Sequence, residues 1–223
     1  MSADTRLRYA CAPRDLGRQP LADALALLAD GGGHGVALGP GDLPADAAGA
    51  RRLRERCDAL CLEVVLDLAG PDAPGLADLR RACDVADVLR AEVVVLDAGG
   101  RGDDPAAWDR AVEDLRALVD SHGGAPYALA VQPRAGTPVA CAGDWARLAD
   151  DVPGLAFALD ARHEPTVAQA VRDGAHLAAP AVDVDRKVLQ ALVDVPYDGL
   201  VRVDLPAPER VADVLDALLA AGG

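Results

Sequence analysis

The sequence predicts an α/β fold, a single compact (β/α)8 barrel with short loops occupying residues 1–223. Three observations predict it. Eight short apolar runs recur along the 223 residues, their starts about 20 to 35 residues apart, which is the length of a strand-loop-helix unit. The middle runs are nearly continuous in Val, Leu and Ala, as in parallel strands covered on both faces. Between the runs lie stretches with helical spacing of apolar residues, and no reversal in the order of units marks the switch point of an open doubly wound sheet.

The strand-forming runs are Leu7–Pro13, Gly35–Pro40, Leu62–Leu68, Glu92–Ala98, Tyr127–Pro133, Leu155–Ala161, His176–Val182 and Leu200–Pro206. The helices read between them in order. Pro20–Asp30 carries Leu21, Leu25, Leu27 and Leu28, and Gly31, Gly32 and Gly33 supply its C-cap and turn. Asp46–Leu60 carries Leu53, Cys57 and Leu60, with Arg51, Arg52 and Glu55 on the wet side. Leu76–Ala91 carries Leu79, Cys83, Val85 and Leu89. Pro105–Ser121 opens with Asp104 as N-cap and proline in the first turn. Trp108 and Trp145 fall in helices and are expected to pack. Pro208–Ala221 closes the chain.

Charge excludes two classes of partner. Lys and Arg total 22 against 36 Asp and Glu, a formal charge of −14, which opposes a nucleic-acid backbone and an anionic membrane surface. No apolar run reaches the roughly 20 residues that span a bilayer, and Met1–Arg6 lacks the apolar stretch of a secretory signal. The expectation is a cytoplasmic protein acting on a small molecule. The five cysteines form no CxxC pair and no zinc-like spacing, so most are expected as small buried hydrophobes.

In such a barrel, chemistry sits at the C-terminal strand ends. The polar residues there are Asp67, Asp97, Gln132, Asp160 and Asp204. His34 and His176 start strands and His122 ends a helix, all structural addresses; His163 is the one histidine just past a strand's C-terminal end. Side chains two apart share a face. Gln132 therefore groups with Ala128 and Ala130, Asp160 with Ala156 and Ala158, and Asp204 with Arg202. An inward Arg202 requires an acidic partner, because an isolated buried charge costs several kcal/mol. The alternative is an outward Arg202 snorkelling between helices.

Several segments carry a resemblance: Leu28-Ala29-Asp30 through Gly35-Val36-Ala37-Leu38-Gly39-Pro40, Ala91 through Gly100, Leu129-Ala130-Val131-Gln132-Pro133-Arg134, and Leu159-Asp160-Ala161-Arg162-His163. In their order and spacing the chain resembles the xylose isomerase-like TIM barrels, the sugar phosphate isomerase/epimerase group. The resemblance implies one divalent metal held by Glu ending strand five, Asp ending strand six, His on strand seven and Glu on strand eight. At those positions this chain has Gln132, Asp160, Ala178 and Asp204. It also implies a substrate-binding role for His163. Ala37 stands where the family often has Glu, and Asp97 where some members have His.

The reading that follows is an isomerase- or epimerase-like enzyme doing proton-transfer chemistry on a small polar, sugar-like or carboxylated metabolite without the family's usual metal. Asp160, His163, Asp204 and Arg202 are the catalytic candidates. His163 would serve as acid/base, Asp160 or Asp204 as base or orienter, and Arg202 as the fixed positive charge that a metal supplies elsewhere. Gln132, Arg134, Asp67, Asp97, Arg101 and Arg162 are the substrate-binding candidates, the arginines as receivers of an anionic group. Two alternatives stand beside this: a non-catalytic barrel that binds a ligand or protein partner, and a metal-dependent sugar isomerase with Asp160, Asp204 and Gln132 around Mg²⁺ or Mn²⁺.

Overall fold

The computed structural model describes residues 7–70, 75–160, 176–178 and 199–203. The strands are β1 (Arg8–Cys11), β2 (Gly35–Leu38), β3 (Glu63–Asp67), β4 (Val93–Leu96), β5 (Ala128–Val131), β6 (Ala156–Asp160), β7 (His176–Ala178) and β8 (Leu200–Val203). The helices among the described residues are α1 (Leu21–Asp30), α2 (Ala47–Ala59), α3 (Leu76–Leu89), α4 (Ala107–His122) and α5 (Ala142–Asp151). All eight strands lie within the predicted runs, and the fold is α/β with parallel pairing. The predicted helix Pro208–Ala221 lies outside the described residues. The chain's contacts fall into two compact units, one of Met1–Leu38, Glu55–Val64 and Leu159–Gly223, the other of Gly39–Arg54 and Val65–Ala158.

In the first unit β1 pairs in parallel with both β2 and β8, and β8 with β7. Among the described residues the first and last strands are thus neighbours. Ala10 aligns with Gly35 on one side and Arg202 on the other, and Ala178 aligns with Arg202. Tyr9, Cys11, Val201 and Val203 alternate with this row and are buried. Gly35 sits in a tight place: a Cβ there would lie 3.1 Å from the Leu200 methyls, which would have to shift by a few tenths of an ångström. Helix α1 buries Ala24, Leu25 and Leu28, the spacing of one helical face. It stops where the Gly31 N–H donates to the Leu27 carbonyl and the Gly33 N–H to that of Leu28, with Gly32 at φ +82°.

The N-terminal strand ends carry a polar group that supports the fold. Arg8 is ion-paired with Glu63. His34 precedes β2, and its Nδ1 accepts the Tyr9 N–H at 3.4 Å, which requires an unprotonated nitrogen. Burial first, then the Arg8 charge, lower the His34 pKa from its ordinary 6.5, against an opposing effect of Glu63. Below about pH 6.5 the unfolded chain therefore binds a proton that the folded chain resists. Stability is expected to fall as pH drops through that value. In urea titrations between about pH 7 and 5, His34→Gln should flatten that fall; parallel curves for the two proteins would remove His34 as its source.

The second unit orders its strands β3-β4-β5-β6, all parallel. The register runs Asp67, Val95, Ala130, Ala156 across one face and Leu66, Val94, Leu129 across the other. Leu68 and Leu96 meet α3 and α4 around a cavity of about 220 Å³ that Leu76, Ala111 and Leu115 also line. The helix-covered face is therefore the Leu face, and the face of Asp67 is built from Val95, Ala130 and Ala156. Fully burying each of Leu66, Leu96 and Leu118 contributes about 2 kcal/mol.

Both tryptophans pack as expected. Trp145 stacks on Phe157 with centroids 4.7 Å apart. Trp108 donates to Asp151 at 3.2 Å beneath the Arg147 guanidinium, 3.9 Å above the ring. The Tyr127 hydroxyl donates to the Cys83 carbonyl at 3.1 Å, tying β5 to α3. Cys11, Cys57 and Cys83 are buried as expected, whereas Cys61 and Cys141 are exposed. Helix α4 starts two residues later than Pro105, with Ala106 and not Asp104 at its N-cap; Asp104 instead closes the turn before it by accepting the Ala106 N–H at 2.9 Å. Among the described residues no helix is long and apolar enough to cross a membrane.

Candidate functional site

Asp97 is the first residue past β4, and its side chain is 2% exposed. One oxygen, Oδ1, accepts the Gly99 N–H at 3.0 Å. The other, Oδ2, accepts the Gly70 N–H at 3.1 Å and Arg134 Nη1 at 3.3 Å. The Asp97-Ala98-Gly99 spacing makes this possible. Gly99 and Gly100 hold φ +61° and +70°, a turn that brings the Gly99 amide back onto the carboxylate. One carboxylate thus fastens the loops after β3, β4 and β5. Asp97, expected to bind substrate, has both oxygens engaged with the protein, and its direct effect is to orient Arg134.

The loop after β5 is built to hold Arg134. The Arg134 N–H donates to the Val139 carbonyl at 2.9 Å. The Thr137 hydroxyl lies 2.8 Å from the Arg134 carbonyl and 2.9 Å from that of Val139. The Gly102 N–H donates to the Gly136 carbonyl at 2.8 Å, locking this loop to the one after β4. A Cβ on Gly102 would lie 2.8 Å from the Thr137 carbonyl oxygen, so the close approach requires glycine. Arg101 points to solvent, with Nε and Nη2 bonded to Asp103 at 2.9 and 2.8 Å. The amides of Gly99 and Gly102 are used within the protein.

Gln132 lies one position beyond the Leu96–Val131 pair, and its N–H donates to the Leu96 carbonyl at 2.8 Å. It is therefore the cross-strand neighbour of Asp97. Its buried Oε1 has no hydrogen-bond partner among the described residues. A buried amide oxygen without a donor costs about 1–3 kcal/mol, so this atom calls for a donor that the described residues do not supply. Asp67, 1% exposed, ends β3 on the face of Val95 and Ala130.

In the first unit, Arg202 is half-buried in β8 between Ala10 and Ala178. Asp160 ends β6. The side chain of Asp160, and His163, Arg162 and Asp204 entirely, lie outside the described residues. The structure thus joins Asp97 directly to Arg134 and sets Gln132 beside them. Sequence reasoning missed Gly70, Gly99 and Thr137 as the parts that fix this group. The Asp-x-Gly spacing after β4 was the available signal for the first contact.

Of the positions where the resemblance implies metal ligands, the Asp160 side chain and Asp204 lie outside the described residues. Of the other two, Ala178 brings no donor and aligns with Arg202 across the strand pair, and Gln132 is a neutral amide where a carboxylate would compensate a cation. Among the described residues no group of three His, Cys, Asp or Glu side chains could hold a metal ion.

A family model described as xylose isomerase-like TIM barrel matches residues 25–166. The chain belongs to the xylose isomerase-like TIM barrel family. Solved structures share its fold at low identity. A xylose isomerase domain protein from Alicyclobacillus acidocaldarius superposes with a TM-score of 0.77 at 14% identity, covering 97% of this chain and 99% of the other. A 3-keto-D-glucoside 4-epimerase from E. coli gives 0.75 at 13% identity, covering 96% and 100%. A xylose isomerase-like TIM barrel/4-hydroxyphenylpyruvate dioxygenase fusion protein gives 0.73 at 18% identity; 97% of this chain is covered, but it spans only 43% of the fusion protein. No curated protein sequence matches the chain significantly.

Proposed function

We propose that this xylose isomerase-like chain is a single (β/α)8 barrel enzyme over residues 1–223 that moves a proton on a small polar metabolite without a resident divalent metal. One observation carries the metal-free reading: β7 offers Ala178 where the resemblance implies a histidine ligand, and the residue beside it in β8 is Arg202. A guanidinium turned to that face would repel a dication and stabilise the oxyanion that forms when a proton leaves the carbon next to a carbonyl. The pairing of β1 with β8 supports the closed barrel, and the epimerase among the structural neighbours supports the reaction class.

The roles follow. His163 takes and returns the proton as acid/base, and Asp160 or Asp204 serves as base or orients the imidazole. Arg202 holds the developing negative charge. Gln132 and Arg134 bind substrate, with Asp67 and Arg162 as further substrate-binding candidates; Asp97 acts through Arg134, and Arg101 is held by Asp103. Enolisation leaves a carbon that regains a proton from solvent, so the test does not require the natural substrate. The protein is incubated in D₂O with a panel of aldoses, ketoses and 2-keto sugar acids, and loss of the C–H signal is followed by proton NMR. Exchange on at least one member is expected, unaffected by chelator and abolished by His163→Ala and by Asp160→Asn. Exchange that persists in both variants overturns the roles; exchange lost on chelation restores the metal-dependent reading, and none on any member favours a non-catalytic barrel.

A further inference from the structure

The contacts of Arg134 point to a substrate class. Its side chain is about one-third exposed, and its guanidinium is held at one corner, Nη1 on Asp97 Oδ2 at 3.3 Å. Among the described residues Nη2 and Nε have no hydrogen-bond partner. These two nitrogens form the side-on edge of the fork, whose parallel N–H pair matches the two oxygens of a carboxylate. The arginine is fixed at both ends. Its backbone N–H is tied to Val139, and Thr137 lies against its carbonyl. Asp97 itself cannot swing away, because Gly70 and Gly99 hold its two oxygens. A side chain that loses little freedom on binding returns more affinity per bond. Two positions earlier sits Gln132, with its buried Oε1 lacking a donor among the described residues. An anion-binding edge and an unpaired acceptor on the same segment after β5 would together take a carboxylate whose adjacent carbon bears a hydroxyl.

We infer that Arg134 is the specificity-determining residue of the substrate site, that its Nη2–Nε edge clamps a substrate carboxylate, and that Gln132 Oε1 accepts the adjacent hydroxyl. Asp97 is a positioning residue that sets the angle of the clamp. The inference rests on the reading above that the C-terminal strand ends receive the substrate, and it narrows that substrate from polar metabolites in general to sugar acids.

The test uses three probes of the same carbon length: gluconate, glucitol and glucose 6-phosphate. Binding to the full chain is measured by calorimetry and by the shift of the thermal midpoint. Gluconate is expected to bind at least about tenfold more tightly than glucitol, the difference that a charge-assisted pair makes. Arg134→Gln should erase that preference, Arg134→Lys should retain part of it, and Asp97→Asn should weaken gluconate without affecting glucitol. Circular dichroism and the thermal midpoint of each unliganded variant report folding, and the Lys variant keeps the test valid if Gln unfolds the loop. Equal affinity for gluconate and glucitol, or a preference unchanged in folded Arg134→Gln, overturns the clamp. Tighter binding of glucose 6-phosphate overturns the carboxylate assignment. Deuterium exchange that continues while the gluconate preference is absent sinks this inference alone; an Arg134-dependent preference without exchange sinks the catalytic reading and leaves the clamp.

Discussion

Asp97→Ala lowers the free energy of unfolding by about 2–4 kcal/mol, a large share of a domain's usual stability. The magnitude follows from three lost acceptor contacts at a side chain 2% exposed. The Gly70 and Gly99 amides lose their acceptor, and the loops after β3, β4 and β5 lose their common tie. Asp97→Asn, which keeps one carbonyl oxygen, should lose about half as much. Arg134→Ala should cost less than about 1 kcal/mol, because the arginine is partly in water and Asp97 keeps both amides. Urea midpoints at constant m-value measure all three. An Asp97→Ala protein within about 0.5 kcal/mol of the parent would show that the three contacts do not hold the loops together.

Arg202→Gln should lower the turnover of the proposed exchange reaction by about 10²–10³-fold, the usual consequence of removing one preorganised oxyanion partner. The loss should fall on kcat, with KM moving little, because the charge that Arg202 meets develops only on the way to the enolate. Arg202→Lys restores the charge without the planar fork and should recover part of the rate. A purely structural Arg202 would lower stability in both variants and leave the kcat of the folded fraction unchanged. The register gives the residue room for this work: its neighbours across the sheet are Ala10 and Ala178.

Much of the fold was legible in the residues. Each strand lies inside an apolar run, because strands covered on both faces must be apolar whatever follows them. Helix α1 was legible from Leu25 and Leu28, which share one face, and from the glycine stop at Gly31. Residues past the strand ends were harder. Asp67, Asp97 and Gln132 all read as candidates by address, and nothing in a one-dimensional address separates a carboxylate that meets substrate from one that meets two backbone amides. Gly70 lies 27 residues from Asp97, and Arg134 lies 37 residues from it; such contacts have no local signature.

By itself the sequence determined the alternation of strand and helix, the acidic charge balance, and the lack of a carboxylate at 132 and of an imidazole at 178. These depend on residue type and spacing, which hydrophobic periodicity and composition report directly. Only the tertiary structure decided that Asp97 is spent on three loops, that Arg134 is gripped at one corner of its guanidinium, and that Ala178 stands next to Arg202. Hydrogen-bond partners and strand register are set by which distant segments pack together, and that is a property of the folded chain.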